Sequence, residues 1–121
     1  MREIKFRGKT RNGKWVYGYA AKFAHDSVPV ILEDTENGIA PRKIIPETVG
    51  QFTGLHDKNG KEIYEGDIVD TSIQGISKVL YDSGQYTIES KNYSTAIAYR
   101  FPIHIIIIGN IHDNPELLKT E

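Results

Sequence analysis

The chain has 121 residues and a mass of 13.7 kDa, the size of one domain or of two small lobes that share a core. It contains no cysteine, which excludes disulfide scaffolds, thiolate metal sites and cysteine nucleophiles, and its formal net charge of −1 excludes a general polycation. The longest purely apolar run, Ile105–Ile108, is far shorter than the roughly 18 residues of a spanning helix. The basic N-terminus also lacks an apolar run of signal-peptide length, so we expect a cytoplasmic protein with no membrane partner.

Residues branched at Cβ dominate the composition, with 17 Ile, six Val and eight Thr against eleven Leu and Ala together. Branching restricts χ1 in a helix and suits the pleated surface of a sheet. Eleven Gly and five Pro divide the chain into short segments. The composition therefore predicts a mostly β fold.

Three Asn-Gly pairs divide the first half of the chain: Asn12-Gly13, Asn37-Gly38 and Asn59-Gly60. Both residue types tolerate the positive φ of a type I′ turn, so such pairs between strand-like runs predict hairpins. The first pair joins Ile4–Arg7 to Trp15–Ala20 in a basic hairpin over residues 1–22.

The next segments are less regular. Val28–Leu32 is interrupted by Pro29, which predicts an edge strand or the start of a strand. The segment from Ile39 to Pro46 contains two prolines and is predicted to be irregular, with one short strand. Val49–Gly54 reads as extended and leads into the third turn.

Five short strands follow in series after Gly66: Ile68–Ile73, Ser77–Tyr81, Gln85–Glu89, Thr95–Phe101 and Ile105–Ile111. Such a meander predicts a small SH3-like barrel, since closure protects the edges of its strands. Asn114 and Pro115 suit the N-cap and first position of a short C-terminal helical turn. We thus expect an N-terminal β region over 1–50 and a barrel with that turn over 51–121, packed as one compact unit.

The stretch Gln51–Val69 reads QFTGLHDKNGKEIYEGDIV and resembles the signature of the YopX family, small proteins encoded by bacteriophages and prophages. The segments Arg2–Arg7 and Ile108–Leu118 are similar to the same family, so the resemblance covers the chain as one unit. It implies a phage or prophage origin and a largely β fold. It implies no biochemical activity and no catalytic residue.

The signature contains four carboxylates within eleven residues, Asp57, Glu62, Glu65 and Asp67, and carboxylate oxygens are ligands for Mg²⁺ or Ca²⁺. Their spacing does not follow the calcium-loop pattern, whereas Asp-Lys-Asn-Gly and Glu-Gly-Asp have the chemistry of tight turns. We therefore expect no metal and no cofactor, and a structural role for the signature residues: Thr53, Gly54, Asp57, Asn59, Gly60, Glu65, Gly66 and Asp67.

No constellation for catalysis stands out in the sequence. The four histidines, at positions 25, 56, 104 and 112, are far apart, and the nucleophile-elbow, Walker and dinucleotide-binding patterns are absent. We expect that the protein is not an enzyme.

Charge is divided sharply along the chain. Residues 1–22 contain seven Lys or Arg and one acid, a net +6, whereas residues 23–121 carry a net −7. The basic side chains form a possible binding surface: Arg2, Lys5, Arg7, Lys9, Arg11 and Lys14.

Three interpretations of this basic hairpin stay open. Its aromatic residues can face the core while its cations face water, as simple alternation predicts. It can dock on the acidic remainder of the chain or of a second subunit. It can also bind nucleic acid, with cations on phosphates and the aromatic residues Phe6, Trp15, Tyr17 and Tyr19 stacked on bases.

Both faces of the strand Ile105–Ile108 are apolar, because successive side chains point to opposite faces. One face can fill a core, and the other, with Ile106 and Ile108, needs a cover that a second copy of the chain can provide. The N-terminal hairpin, with Phe6, Trp15 and Tyr17, can also supply this cover within the chain. Of the two, we expect a homo-oligomer formed there. The leading hypothesis for function is a non-enzymatic accessory protein that binds a host or phage protein, and the alternative is a nucleic-acid-binding protein that uses the basic hairpin.

Overall fold

The computed structural model describes residues 4–22, 29–72, 74–91, 93–97 and 104–119. Eleven strands lie within these ranges: β1 Phe6–Lys9, β2 Trp15–Lys22, β3 Pro29–Thr35, β4 Gly38–Lys43, β5 Gly50–His56, β6 Glu62–Tyr64, β7 Asp67–Thr71, β8 Gly75–Asp82, β9 Gln85–Glu89, β10 Ser94–Ala96 and β11 Ile105–Asn110. Short 3-10 helices lie at Pro46–Thr48 and Pro115–Lys119. The mostly β prediction is confirmed.

The strands form two antiparallel sheets, with the orders β4-β3-β2-β1-β5-β6 and β10-β9-β8-β7-β11. By its internal contacts the chain divides into two compact units, residues 1–52 and 53–121. Of the described segments, none is a helix long and apolar enough to cross a membrane.

The predicted turns lie where the Asn-Gly pairs stand. Gly13, Gly38 and Gly60 have φ of 89°, 110° and 84°, values that a glycine adopts without the steric cost of a Cβ. The first turn joins β1 and β2, with Gly8 opposite Val16 in the register. The β-hairpin predicted at the N-terminus is therefore confirmed for its described residues.

The segment after the second turn is more regular than predicted. Residues 38–43 form a six-residue strand at the edge of the first sheet, with Pro41 opposite Leu32. An edge strand accommodates proline because one side of its backbone has no neighbour to receive a hydrogen bond. Pro29 is the first residue of β3, so it marks the start of a strand, which was one of the two predicted alternatives.

The core of the first unit is small and lies on one face of its sheet. Val16, Ile31 and Ile44 are buried there, with Phe6 and Val49 packed against them. Ile44 follows β4 and lies over Gly8, where an added Cβ would come within 2.6 Å of the Ile44 Cδ1 atom. The glycine thus gives the covering segment room to approach the strand.

The core of the second unit is formed by seven buried side chains: Ile63, Val69, Val79, Tyr86, Ile88, Ile97 and Ile105. The predicted closure into an SH3-like barrel is not found among the described residues, where β10 and β11 are the two edges of an open sheet. The turn after β5 bonds to the outer side of β11 instead, because Lys58 donates its N–H to the Ile105 carbonyl at 2.9 Å.

The predicted C-terminal turn is the 3-10 helix Pro115–Lys119. Asn114 precedes it, and its side-chain Oδ1 accepts the backbone N–H of Asn110 at 3.2 Å. The Asn114 side chain thus reaches back to the end of β11. Gly109 allows this approach, since an added Cβ would lie 2.5 Å from the same oxygen.

Candidate functional site

Asp57 is a carboxylate of the signature that accepts three backbone N–H groups. It is buried, and its Oδ1 accepts the backbone N–H groups of Asn59 and Lys61, both at 2.9 Å. Its Oδ2 accepts the N–H of Ile107 on β11 at 3.0 Å. The side chain therefore ties the turn between β5 and β6 to a strand distant in sequence.

The ionised form of Asp57 is favoured by these contacts. Burial by itself raises the pKa of the carboxyl, but the hydrogen bonds from Ile107, Lys61 and Asn59 and the charge of Lys61 outweigh it. The pKa of Asp57 therefore lies below its ordinary value of 3.8. A carboxylate held in this way acts as an anchor for backbone N–H groups.

Asp67 has a comparable position in the second turn of the signature. It is buried at the start of β7, and its Oδ2 accepts the Tyr64 N–H at 2.7 Å. Gly66, between them, has a φ of 94°, the positive value that its sequence context predicts. The turn between β6 and β7 is therefore stabilised by the Asp67 carboxylate and by the positive φ that Gly66 adopts.

The remaining signature residues lie in the same two turns or on β5. Thr53 donates its hydroxyl to the Ile63 carbonyl at 2.8 Å and accepts the Leu55 N–H. Glu65 is half-buried in the turn before Gly66. Within the described ranges, no three His, Cys, Asp or Glu side chains converge as metal ligands would.

A different kind of site lies on the first sheet, where one face of the N-terminal hairpin combines cations and aromatic rings. The register sets Arg7 opposite Tyr17 and Lys9 opposite Trp15, and opposed residues of a ladder share a face. Lys5, two residues before Arg7, is placed on the same face by alternation. We call this set the cation–aromatic face: Lys5, Arg7, Lys9, Trp15, Tyr17 and Tyr19.

The aromatic side chains of this face are not in the core, contrary to the interpretation that alternation alone favours. Val16 is buried, whereas the exposed fractions of Tyr17 and Tyr19 are 44% and 58%. Phe6, on the other face of the hairpin, packs against the core. Gly8 is the available sequence signal, because it shares the face of Val16 and leaves room for Ile44 to close over that face.

The cations of this face lie against aromatic rings. The Arg7 guanidinium carbon is 4.8 Å from the centroid of Trp15, and the Lys9 Nζ is 5.9 Å from it. The Lys5 Nζ lies 5.6 Å from the ring centroid of Phe52. Such cation–π contacts hold positive charge beside the aromatic surface.

The predicted basic residues divide into three groups. Arg7 is buried and Lys5 and Lys9 are half-buried on the cation–aromatic face, whereas Arg11 and Lys14 are exposed at the tip of the hairpin. Arg2 lies outside the described residues. Three of the six predicted basic residues therefore lie together on the cation–aromatic face, and two lie at the tip of the hairpin.

The outer face of the second sheet carries apolar side chains. Ile106 and Ile108 are 37% and 39% exposed, while Ile105 is fully buried. Asp70 stands between Ile76 and Ile106 in the register, so these two isoleucines are on one face. Ile108 follows on β11 at the register shift between Ile107 and Gly109. The apolar patch that the sequence indicates is therefore present at the surface of this unit.

Beside Ile76 a groove of about 510 Å³ runs between β8, β9 and the C-terminal 3-10 helix. Its walls combine apolar and charged side chains: Ile76, Lys78, Glu89, Ser90, Lys91, Leu117, Leu118 and Lys119. Lys78 and Glu89 form an ion pair across it at 3.6 Å. The lining thus supplies no acid–base pair that is held away from solvent.

The comparisons with known proteins identify a family and a fold. The family model described as YopX protein matches residues 5–119. Among solved structures, the chain is similar to protein EF1440 from Enterococcus faecalis, with a TM-score of 0.64 and 23% identity over 98% of this chain and 99% of that chain. At that identity the similarity shows a shared fold alone. No curated protein matches the sequence.

Proposed function

Because the chain belongs to the YopX family, we propose that it is a phage- or prophage-encoded accessory protein that binds a macromolecule and catalyses no reaction. It works in the cytoplasm of the bacterial host. The observation that carries this proposal is the cation–aromatic face, which presents two exposed tyrosines beside three cations.

Exposed aromatic residues in a row support a binding surface. Single exposed apolar side chains are ordinary on proteins, but contiguous ones mark interaction sites. Tyrosine and tryptophan combine a large apolar ring with a polar group, and with arginine they are enriched at interfaces. Trp15, Tyr17 and Tyr19 lie at alternate positions of one strand beside Arg7, which matches this composition.

The carboxylates of the signature support the non-enzymatic part of the proposal. The oxygens of Asp57 and Asp67 accept backbone N–H groups inside the second unit. A carboxylate used in this way stabilises a turn. A structural role thereby accounts for these two carboxylates of the signature, Gln51–Val69.

A comparison of two matched variants tests the proposal. Tagged wild-type protein, a Tyr17→Ala/Tyr19→Ala variant and a Tyr93→Ala variant are each purified from the bacterial host, and bound protein and nucleic acid are quantified. Tyr93 is the control because it is 65% exposed in the other unit. We expect a partner that the wild type and Tyr93→Ala retain and the double variant loses. Equal recovery by all three proteins contradicts the proposal.

Self-association is a second candidate, favoured by the exposed isoleucines of the second sheet. Ile76, Ile106 and Ile108 give this face an apolar patch, and a two-fold axis lets the same patch on two copies cover itself. We infer that a homo-oligomer forms through Ile106 and Ile108. No residue of the cation–aromatic face belongs to this patch.

A further inference from the structure

We propose that the partner of the cation–aromatic face is single-stranded nucleic acid, with bases stacked on Tyr17 and Tyr19 and phosphates beside the basic side chains. This inference rests on the proposed function, since it names the partner of the same face. Binding of a single strand requires a row of aromatic rings on which bases can stack, positive charge beside that row, and a surface that does not fit a duplex.

The rings form such a row. Trp15, Tyr17 and Tyr19 occupy alternate positions of β2, and alternate residues on one face of a strand are about 6.6–6.8 Å apart. The row is therefore about 13 Å long. Tyr17 and Tyr19 keep 44% and 58% of their surface exposed, and every base has a π-face on which such a ring can stack, whatever the sequence.

Positive charge that solvent can reach lies at the Trp15 end of the row. Lys9, which is half-buried, lies opposite Trp15, and the turn beyond it adds the exposed cations Arg11 and Lys14. Lysine is depleted at protein–protein interfaces, whereas phosphate neutralisation by Lys and Arg is the principal source of affinity for nucleic acid. The cations therefore favour a polyanionic strand over a protein.

The neighbouring strands do not neutralise the positive charge of the hairpin. The register of β3 and β4 places the exposed residues Asp34 and Lys43 on the same face as Tyr19. Their charges are opposite and offset each other. The surface around the tyrosines thus keeps the positive sign of the hairpin.

The width of the sheet argues against a duplex. The strands β4, β3, β2 and β1 lie side by side, and four strands spaced by about 4.8 Å span about 14 Å of backbone alone. The major groove is about 12 Å wide and admits a helix or a two-stranded ribbon. A broad sheet face with exposed rings suits unstacked bases, which only a single strand offers.

Fluorescence anisotropy with a labelled oligothymidine of about 20 nucleotides tests the inference, with a duplex of the same length as competitor. We expect the full chain to bind the single strand more tightly than the duplex. Its affinity should fall with salt on a log–log slope of roughly −2, as about three neutralised phosphates require. Tyr19→Ala should weaken binding about fivefold or more.

Two matched controls separate stacking and charge from general surface effects. Tyr93→Ala removes a tyrosine of the other unit that is 65% exposed, against 58% for Tyr19, and should leave the affinity unchanged. Lys14→Glu should weaken binding and flatten the salt slope, whereas Lys91→Glu, an exposed cation of the other unit, should have the smaller effect. All four variants change exposed side chains, so an unchanged melting temperature verifies their folding.

Three results would overturn the inference: no binding of the oligonucleotide at low salt, tighter binding of the duplex, or equal losses in Tyr19→Ala and Tyr93→Ala. The failure of this inference is distinct from failure of the proposed function. If the oligonucleotide is not bound but the double tyrosine variant loses a cellular protein that Tyr93→Ala retains, the partner is a protein and only the nucleic-acid inference is wrong.

Discussion

The carboxylate of Asp57 accepts a hydrogen bond from the backbone N–H of Ile107, 50 residues further along the chain, at 3.0 Å. Next to it, the Lys58 N–H bonds to the Ile105 carbonyl. The turn after β5 thereby forms hydrogen bonds with outward-facing backbone groups of β11, which is an edge strand. Unpaired edge groups invite pairing with other chains, so this contact protects the edge as well as anchoring the turn.

The first prediction concerns this contact. Asp57→Asn keeps the size of the side chain and one carbonyl oxygen, but its amide group cannot accept the Ile107 N–H. We expect a loss of about 2 kcal/mol in the free energy of unfolding, since hydrogen bonds to charged groups are the stronger ones. Urea denaturation at neutral pH measures it. Asp70→Asn, an exposed carboxylate on β7, is the control, and an equal effect at both positions contradicts the prediction.

The second prediction follows from the lowered pKa of Asp57. Its folded value lies below the ordinary 3.8, so the stability that it contributes is present above about pH 4 and is lost as the pH falls through the folded pKa. The difference in unfolding free energy between wild type and Asp57→Asn should therefore shrink from about pH 6 towards about pH 3. A difference that stays constant over this range would show that ionisation of Asp57 contributes nothing.

The third prediction concerns Asp67 and metals. Asp67→Ala leaves the buried Tyr64 N–H without this carboxylate and should lower stability by about 1 kcal/mol or more, measured by thermal unfolding. Added Mg²⁺ or Ca²⁺ should leave the melting temperature of the wild type unchanged, because a ligand of the folded state would raise it. A clear rise at millimolar metal would make the signature carboxylates ligands instead.

The fourth prediction tests self-association. Sedimentation equilibrium should show a particle larger than the 13.7 kDa chain, and Ile106→Lys and Ile108→Lys should dissociate it, since each places a charge that must lose its water in the interface. Ile39→Lys changes an isoleucine that is 65% exposed in the first unit and should leave the assembly intact. A monomeric wild type at micromolar concentration contradicts the prediction.

The sequence determined the local features of this protein. The turns at Gly13 and Gly60 have positive φ, and Pro29 begins a strand. These features depend on the conformational freedom of one or two residues, so they can be read without knowing their neighbours in space. Alternation likewise separated Ile105 from Ile106, one buried and the other exposed.

Only the tertiary structure decided which face of each strand is covered and whether the second sheet closes. A period of two divides a strand's side chains into two sets without saying which set is buried. Val16 is buried because Ile44 closes over Gly8 on its side of the hairpin, and Tyr17 and Tyr19 are thereby left outside. Among the described residues β10 and β11 are the edges of the second sheet, and Asp57 and Lys58 bond to β11 at its outer side. Both outcomes depend on contacts between segments far apart in the chain, which local preference does not determine.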